Sequence, residues 1–329
     1  MYEWLIDFLN INIDEIFVGN RDDDEILGGY LSSGSSRIYV KRGIPIFFTK
    51  QYYQKYRRLI TAYRLIPHDF WREEKSDWFK HLRRFHKELI CRGLALSKKF
   101  RLNILSIGCG SGWEIWAITR YANKMGLSCR IIGCDLSLKP LYIARKKARN
   151  LEYTQIDFVC CVAENLPFKD NAFDIVTAIF GSLDHSINYL KAFREASRVL
   201  RSGGIFIGTV LNRFALDWIF KVLKSPKLFM KTIKYADRPH ARIRIPLNTH
   251  HVSIPTHFYN VIEVKKLAKI SGMRIVEIAS TFSILPLNFK KTKFRPYHCF
   301  LSKIDKTLSR IPPFNSLGRY IGIVAKKEK

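Results

Sequence analysis

Residues 103–112 read NILSIGCGSG, an apolar run that passes directly into three glycines. The run is typical of a buried strand, and Gly108, Gly110 and Gly112 let the backbone turn sharply and approach a ligand. The segment WEIWAITRYANKMG follows with helical spacing, and the first turn of a helix directs free N–H groups at a ligand. The sequence therefore predicts a strand, a glycine loop and a helix around a binding site. The spacing G-x-G-x-G differs from the G-x-G-x-x-G pattern of dinucleotide-binding Rossmann sites.

An acidic residue follows at the end of the next β-rich run. Asp135 stands 23 residues beyond Gly112, where a carboxylate accepts both hydroxyls of a ribose. A helix cap is the alternative interpretation, because Leu136 and Ser137 lead into a helical pattern. In combination with the glycine loop, the ribose interpretation is favoured.

From residue 102 onward, short apolar runs alternate with helical patterns, which predicts a parallel sheet covered by helices. The fold class we predict is α/β, with a Rossmann-like, seven-stranded and mostly parallel sheet and helices on both faces. A small N-terminal β unit and a helical region complete it. The runs that predict strands are NILSIG, RIIGCD, QIDFVCCV, FDIVTAIF, GGIFIGTVL, MRIVEIAS and RYIGIVAKK.

Three regions are expected along the chain of 329 residues. Residues 1–50 are predicted to form the β unit, because the alternating run IYVKRGIPIFF follows Gly and Ser turn signals. Residues 51–99 are aromatic and basic with apolar residues at helical spacing, and we expect a helical lid region there. Residues 100–329 form the third region, which includes a basic insert at 213–258.

The chain is strongly basic, with 56 Lys and Arg against 28 Asp and Glu and a formal net charge of +28. Such an excess favours polyanions, namely nucleic acid, anionic membrane surfaces or acidic substrates. The charge is unevenly spread, because residues 1–30 carry a net charge of −7 and residues 201–329 one of +19.

Two further features concern the compartment. The seven cysteines form no C-x-x-C pair, which indicates neither a zinc site nor a disulfide framework and suits a reducing compartment. No stretch has the roughly 18 consecutive apolar residues of a spanning helix, and the acidic first residues are unlike a signal peptide. We expect a cytoplasmic protein that associates at most peripherally with a membrane.

Four motifs occur in a fixed order: ILSIGCGSGWE, GCDLS, AENLPFKDNAFDIV and EASRVLRSGG. Together they resemble the class I S-adenosylmethionine-dependent methyltransferases, and more closely their type 11-like domains. The resemblance covers about residues 100 to 329. It implies that S-adenosyl-L-methionine is the cofactor. It also implies that Gly108, Cys109, Gly110 and Gly112 hold the methionine moiety and that Asp135 holds the ribose.

The same resemblance implies the remaining contacts to the cofactor. Leu136, Ala163 and Glu164 would flank the adenine. Phe180 and Gly181, which come just after the fourth predicted strand, would line the cofactor on the side that faces the substrate.

Two positions depart from the family pattern. Ser106 stands where an acidic residue is often found two places before the first glycine. Val162 replaces the Asp that often recognises the adenine amine. Glu114 is a candidate to compensate in part, although an acid in the first turn of a helix is favourable in any case.

The first fifty residues resemble a zinc-ribbon-like unit that precedes the methyltransferase domain in some bacterial and archaeal enzymes. The cysteines of that unit are absent here, and residues 1–50 contain no histidine either. We therefore predict a metal-free segment that packs structurally.

Histidines supply the candidates for acid-base chemistry. A base is needed only when the acceptor is protonated at neutral pH, since the sulfonium already activates the methyl group. The candidates are His185, in the segment SLDHSINYL, and His251. The alternative is that Asp184 caps the loop and that His185 only packs under the cofactor. His250, His251 and His257 lie close together without an acidic or Cys ligand, so we expect a substrate-facing loop and no metal.

The insert carries its own charge pattern. Residues 213–244 hold nine bases and two acids, with apolar residues on one side of a predicted helix and Lys221, Lys224 and Lys227 on the other. One interpretation is a solvated helix face. The other is a cover over the acceptor pocket that docks on anionic lipid or recognises an acidic substrate.

These observations favour a methyltransferase that acts on a small or lipid-like acceptor, at an oxygen atom. An RNA methyltransferase is the alternative that the charge supports. No Asn-Pro-Pro-Tyr-like motif and no Pro-Cys pair follows the fourth strand, where IFGS stands, which disfavours methylation of a base amine or attack through a cytosine adduct. A non-catalytic, cofactor-binding partner subunit is a third alternative, which the two departures keep open.

Overall fold

The architecture is seen in a computed structural model of the chain. The structure describes residues 1–22, 25–34, 36–47, 50–65, 77–149, 154–216, 240–246, 251–283 and 295–328.

The regular elements of the central region follow one another in the order that the sequence patterns indicate, whereas the hairpin in the basic insert and the helix at residues 295–308 were not predicted. The strands are β1 (Glu15–Asp22), β2 (Glu25–Ser33), β3 (Ser36–Lys41), β4 (Ile44–Pro45), β5 (Arg101–Ile107), β6 (Ser128–Asp135), β7 (Thr154–Cys160), β8 (Phe173–Ala178), β9 (Leu200–Leu211), β10 (His240–Pro246), β11 (His251–His257), β12 (Met273–Thr281) and β13 (Tyr320–Lys327). The helices are α1 (Lys50–Leu65), α2 (Asp77–Ser97), α3 (Trp113–Lys124), α4 (Leu138–Ala148), α5 (Tyr189–Val199), α6 (Val261–Ile270) and α7 (Arg295–Leu308).

The central sheet has seven strands in the order β7-β6-β5-β8-β9-β13-β12. Neighbouring strands from β7 to β9 are parallel, and β13 runs antiparallel to both β9 and β12. The predicted seven-stranded, mostly parallel sheet is thereby confirmed. The chain first adds β6 and β7 on one side of β5 and then continues with β8 on the other side, so the strand order reverses between β5 and β8. The carboxyl ends of these two strands therefore frame the crevice in which such sheets bind ligands.

Helices cover both faces of this sheet because successive strand residues point to opposite sides. Ile104 of β5 belongs to the apolar core shared with α2, α3 and α4. Its neighbour Leu105 belongs to a second core, shared with α5, α6 and the N-terminal strands. The apolar runs of the parallel strands are buried on both faces, which is why they lack polar alternation.

The N-terminal strands β1 to β4 form an antiparallel sheet that packs against the second core. Leu31 and Val40 are buried there together with Phe168. The end of this unit lies beside β7, because the Phe47 N–H donates to the carbonyl of Cys160 at 2.8 Å. The β unit is therefore packed onto the central sheet.

Helix α1 lies near the carboxyl edge of the central sheet and beside β11. Tyr56, Leu59 and Ala62 on its inner side form a small apolar cluster with Val162 and Ile254. Helix α2 packs against β9, β13 and α3 on the face described above. The division into regions at residues 50 and 99 remains a prediction.

Part of the basic insert is described. Strands β10 and β11 pair as an antiparallel hairpin with His240 opposite His257. Residues 217–239 and 247–250 lie outside the described residues, and with them the lysines at 221, 224 and 227 and the predicted helix face. Within the described ranges, no helix is both long enough and apolar enough to cross a bilayer.

Candidate active site

The glycine loop lies at the carboxyl end of β5. Gly108, Gly110 and Gly112 have φ values of +68°, +52° and +85°, in the left-handed region that residues with a Cβ rarely adopt. A Cβ at Gly108 would meet Ser182 at 2.6 Å, whereas among the described residues no atom lies within 4 Å of a Cβ built at Gly110. The loop therefore leaves open space at Gly110, where a ligand can approach the backbone beside the first turn of α3.

The carboxylate of Asp135 stands directly beside this loop. Its Oδ2 accepts the Gly110 N–H at 3.0 Å and its Oδ1 accepts the Ser137 N–H at 2.9 Å. Burial raises the pKa of Asp135 to about 6. Cys109 is buried under the loop and donates its N–H to the carbonyl of Cys134 at 3.0 Å. The ends of β5 and β6 are thus joined through the loop and the carboxylate.

The residues expected to flank the adenine lie under α1. Leu136 and Val162 pack in the apolar cluster with Tyr56 of that helix. Ala163 is partly buried against the second core. The buried carboxylate of Glu164 accepts a hydrogen bond from the Tyr56 hydroxyl. The carboxylate of Glu164 therefore has a partner within the protein.

Two consecutive residues after β8 adopt left-handed conformations. Phe180 has φ +62° and Gly181 has φ +79°, and such a conformation in a phenylalanine is strained unless the surroundings hold it. The Phe180 N–H donates to the Thr209 hydroxyl at 2.8 Å. A Cβ at Gly181 would stand 2.8 Å from Oδ2 of Asp184. The turn thereby directs the Phe180 side chain towards α2 and away from the strand axis.

An aromatic cluster surrounds the Phe180 ring. Phe79 of α2 stacks on Phe180 with ring centroids 6.2 Å apart, and Tyr320 lies at 6.4 Å. Trp78 extends the cluster, with its centroid 6.4 Å from Tyr320. Trp78 and Phe180 are only half-buried. The cluster thus presents apolar ring surface at the carboxyl edge of β8.

His86 is the polar member of this cluster. It is fully buried, lies 5.6 Å from Phe180 and 6.2 Å from Trp113 between ring centroids, and its Nε2 is 3.5 Å from the Thr209 hydroxyl. Within the described part of the chain, its Nδ1 has no hydrogen-bond partner. Burial lowers the pKa of His86 to about 3, so the imidazole is neutral at physiological pH.

His185 follows the same strand on the other side of the Phe180 turn. Its Nδ1 donates to the carbonyl of Pro255 at 3.1 Å, and its ring lies 6.0 Å from that of Tyr63 in α1. Burial lowers its pKa. The neighbouring Asp184 is buried and accepts the Leu211 N–H at 3.1 Å. Asp184 therefore fastens this turn to the end of β9.

The other predicted histidines are only partly described. His250 lies outside the described residues, and His251 begins β11 without a described side chain. The buried His257 bonds to Oε1 of Glu263 at 2.7 Å and stacks on Tyr189 with centroids 4.1 Å apart. Within the described ranges, no group of three or more His, Cys, Asp or Glu side chains is arranged to hold a metal ion.

A second buried carboxylate lies below the glycine loop. Glu114, in the first turn of α3, is 5% exposed, and burial raises its pKa to about 7. Ser106, at the position of the missing acid, is completely buried. Glu114 is therefore a buried carboxyl group that is protonated at a higher pH than an exposed glutamate.

The site includes residues that the sequence reasoning missed. Tyr56 and Tyr63 of α1 reach it, as do His86, Phe79 and the aromatic residue at 320. The seven-residue spacing of the two tyrosines places them on one side of a helix, which was a usable signal. Phe79 and His86 of α2 gave no such signal, because aromatic residues at helical spacing indicate only that this side of the helix is buried.

Comparison with known proteins decides the family. Residues 105–208 match a family model described as a methyltransferase domain. An uncharacterized protein of Methanocaldococcus jannaschii is 32% identical over 227 residues, which are 69% of this chain and 76% of the relative. The chain belongs to the class I S-adenosylmethionine-dependent methyltransferases. Its cofactor is S-adenosyl-L-methionine.

Two further similarities bear on this methyltransferase. The 2-methoxy-6-polyprenyl-1,4-benzoquinol methylase of Leishmania donovani is 43% identical over 137 residues, which are 39% of this chain and 44% of that protein. The crystal structure of the [4+2]-cyclase SpnF aligns with a TM-score of 0.50 and 20% identity, covering 87% of this chain and 98% of that one. The second similarity concerns the fold alone, since one fold supports unrelated reactions.

Proposed function

We propose that this methyltransferase transfers a methyl group from S-adenosyl-L-methionine to an oxygen atom of a small, apolar or lipid-like acceptor. The observation that carries the proposal is the aromatic cluster around Phe180. Its half-buried rings offer stacking surface to an apolar or aromatic molecule. The Leishmania relative, which is named for a polyprenyl benzoquinol, supports an acceptor of this class.

The cofactor residues are assigned from the contacts around the glycine loop. Gly108, Cys109, Gly110 and Gly112 hold the methionine moiety, since the open space at 110 and the left-handed turns fit a ligand against the backbone. Asp135 accepts the ribose hydroxyls, because its carboxylate lies beside the same loop.

The remaining assignments follow from their position along the crevice. Leu136, Ala163 and Glu164 flank the adenine, with Glu164 acting through its backbone because the carboxylate bonds to Tyr56. Phe180 and its neighbour at 181 line the cofactor where it faces the acceptor.

The bound cofactor supplies a methyl group that its positively charged sulfur activates for in-line displacement. The protein must therefore align the acceptor and exclude water. The buried turn after β8 serves the alignment, since Asp184 and Thr209 fix it to β9 through hydrogen bonds of 3.1 and 2.8 Å. The neutral imidazole of His86 is a buried polar group behind the ring of Phe180.

His185 is the general base of this proposal, with His251 retained as a second candidate. The Pro255 carbonyl accepts the Nδ1–H of His185, which leaves Nε2 as the nitrogen with a lone pair. Because burial lowers the pKa of His185, the ring is neutral and able to take the proton of an acceptor hydroxyl.

Transfer of label from radiolabelled S-adenosyl-L-methionine tests the acceptor class. The enzyme is incubated either with an organic-soluble extract or with total RNA from the source cells. We expect label in the organic-soluble fraction. The labelled product is then treated with acid or alkali, and its behaviour as an ether or an ester supports oxygen as the methylated atom. Label confined to one nucleotide of RNA would contradict the proposal.

A further inference from the structure

The N-terminal antiparallel sheet has an inner and an outer face. Residues alternate between the two faces along each strand, and the inner face carries Leu31 and Val40, which belong to the second core. The outer face carries three aromatic residues that are paired directly across the strands. Phe17 of β1 lies opposite Tyr30 of β2, and Tyr30 lies opposite Tyr39 of β3. We refer to these three residues as the aromatic row; it crosses the side of the sheet that faces away from the core.

The rings of the aromatic row form one continuous surface that is open to solvent. The ring centroids of Phe17 and Tyr30 are 5.0 Å apart with the rings stacked, and those of Tyr30 and Tyr39 are 6.5 Å apart. Phe17 is 49% exposed and Tyr39 is 60% exposed. Because single exposed apolar residues are ordinary but a contiguous group of them marks an interaction site, this surface calls for a partner.

Opposite charges stand at the two sides of the aromatic row. Glu15 of β1 and Arg37 of β3 belong to the next row on the same face, because both are paired with Ser32 of the middle strand. The Arg37 guanidinium lies over the Tyr30 ring, 4.6 Å from its centroid. Lys41 stands on the same face further along β3, and it is exposed like Glu15 and Arg37. The outer face is therefore acidic at β1 and basic at β3.

This arrangement is complementary to itself. A two-fold axis that runs parallel to the strands between two copies places β1 of each copy over β3 of the other and keeps the rows level. Glu15 then faces Arg37 of the second copy, and the reverse pair forms as well. Phe17 likewise faces Tyr39, and the two Tyr30 rings face each other near the axis. Aligned sheets pack in this way about 10 Å apart, and a two-fold contact repeats each favourable pair.

A single strand of nucleic acid fits this face less well. Surfaces that stack bases combine aromatic rings with a basic groove, whereas Glu15 flanks these rings and residues 1–30 carry a net charge of −7. A uniformly charged partner would meet like charge on one side of the aromatic row. Only a partner with both signs of charge in the reverse order matches both sides, and a second copy has that order.

We propose that the N-terminal β unit is a dimerisation module and that the aromatic row is the contact surface between two copies of this chain. The proposal does not depend on the cofactor residues. Three short strands make a contact smaller than the roughly 1,200 Å² at which stable interfaces begin, so the dimer is weak and reversible, with a dissociation constant on the order of 10 to 100 μM.

Sedimentation velocity of the full chain, at protein concentrations on both sides of that constant, tests the dimer. We expect the wild type to change from monomer to dimer over this range. Tyr39→Ser removes two ring contacts per dimer and should raise the dissociation constant by about 10- to 100-fold. Phe100→Ser is the matched control, because Phe100 is 78% exposed and lies outside the N-terminal sheet, and it should dimerise like the wild type.

Reversal of the charge pair tests how the two copies are oriented. Glu15→Arg and Arg37→Glu each bring like charges together twice and should weaken the dimer by about tenfold or more. The double variant, Glu15→Arg with Arg37→Glu, again pairs opposite charges across the axis and should recover most of the lost affinity. A disturbed sheet would not be repaired by a second substitution, so this recovery separates a contact between copies from a loss of folding.

The remaining outcomes contradict the proposal. A wild type that stays monomeric over the whole range would overturn it, as would a dimer that Tyr39→Ser leaves unchanged. A double variant that dimerises no better than the single variants would exclude the pairing of Glu15 with Arg37. A monomeric wild type that binds a fluorescent single-stranded oligonucleotide, with binding lost in Tyr39→Ser, would identify the aromatic row as a base-stacking surface instead.

Discussion

The carboxylate of Asp135 accepts the backbone N–H of Gly110 at 3.0 Å, so the end of β6 is fixed to the turn that follows β5. This bond brings the acid next to the glycine loop that follows β5, one of the two strands between which the strand order reverses. A ligand that bonds to one of them is within reach of the other. The glycine loop and the Asp135 side chain of the proposed cofactor site are therefore already held in place by this bond.

Trp78→Leu should raise KM for the acceptor by about tenfold or more, because a buried aromatic contact contributes about 1.5 to 3 kcal/mol. Affinity for S-adenosyl-L-methionine should stay unchanged, since Trp78 packs on Phe282 and Tyr320 at the far side of the cluster. Trp116→Leu is the control, because Trp116 is 39% exposed on α3. Steady-state kinetics with each substrate varied in turn decides; an unchanged acceptor KM would remove the aromatic cluster from the acceptor site.

His185→Gln should lower kcat by a factor of about 10² to 10⁴, the usual contribution of a general base. The dissociation constant of the cofactor should not change, because the hydrogen bond of this histidine runs to the Pro255 carbonyl of β11 and Pro255 is not assigned to the cofactor. A kcat within about threefold of the wild type, measured at saturating acceptor, would exclude His185 as the base.

Glu114→Gln should stabilise the protein at pH 8 and have little effect at pH 5. Burial raises the pKa of Glu114 from its usual value of 4.5 to about 7, so the unfolded chain loses this proton at a lower pH than the folded one. The free energy of unfolding therefore falls as pH rises from about 4.5 to 7, and a neutral side chain avoids a loss of about 3 kcal/mol.

Urea unfolding of the wild type and of Glu114→Gln at both pH values measures this difference. The wild type and the variant should differ in their midpoints at pH 8 and converge at pH 5. A difference that is the same at both values would mean that Glu114 is ionised throughout, and the pKa shift would be wrong.

The sheet was predictable because its signals are local. The runs that became β5, β6 and β8 are apolar and bounded by glycine or acidic residues, and the loop at Gly108 has a spacing with few structural uses. Asp135 was found for the same reason, since it ends a strand at a fixed distance from the loop.

The contacts across the crevice were not predictable in this way. Tyr56 and Glu164 are 108 residues apart in sequence, and nothing in the local pattern of either residue indicates the other. The segment after β7 looks like an adenine-binding motif, yet its acidic side chain serves α1. The aromatic cluster joins α2 to the first residue of β13, so it exists only once the sheet has formed.

Calorimetric titration with S-adenosyl-L-methionine tests the central claim most directly. The wild type should bind with a micromolar dissociation constant, which corresponds to a binding free energy on the order of −8 kcal/mol. Asp135→Ala should bind about 1 to 3 kcal/mol more weakly through the loss of the ribose hydrogen bonds. Asp170→Ala, which removes an acid that is 66% exposed, should bind like the wild type. Absence of binding by the wild type, or normal binding by Asp135→Ala, would contradict the account.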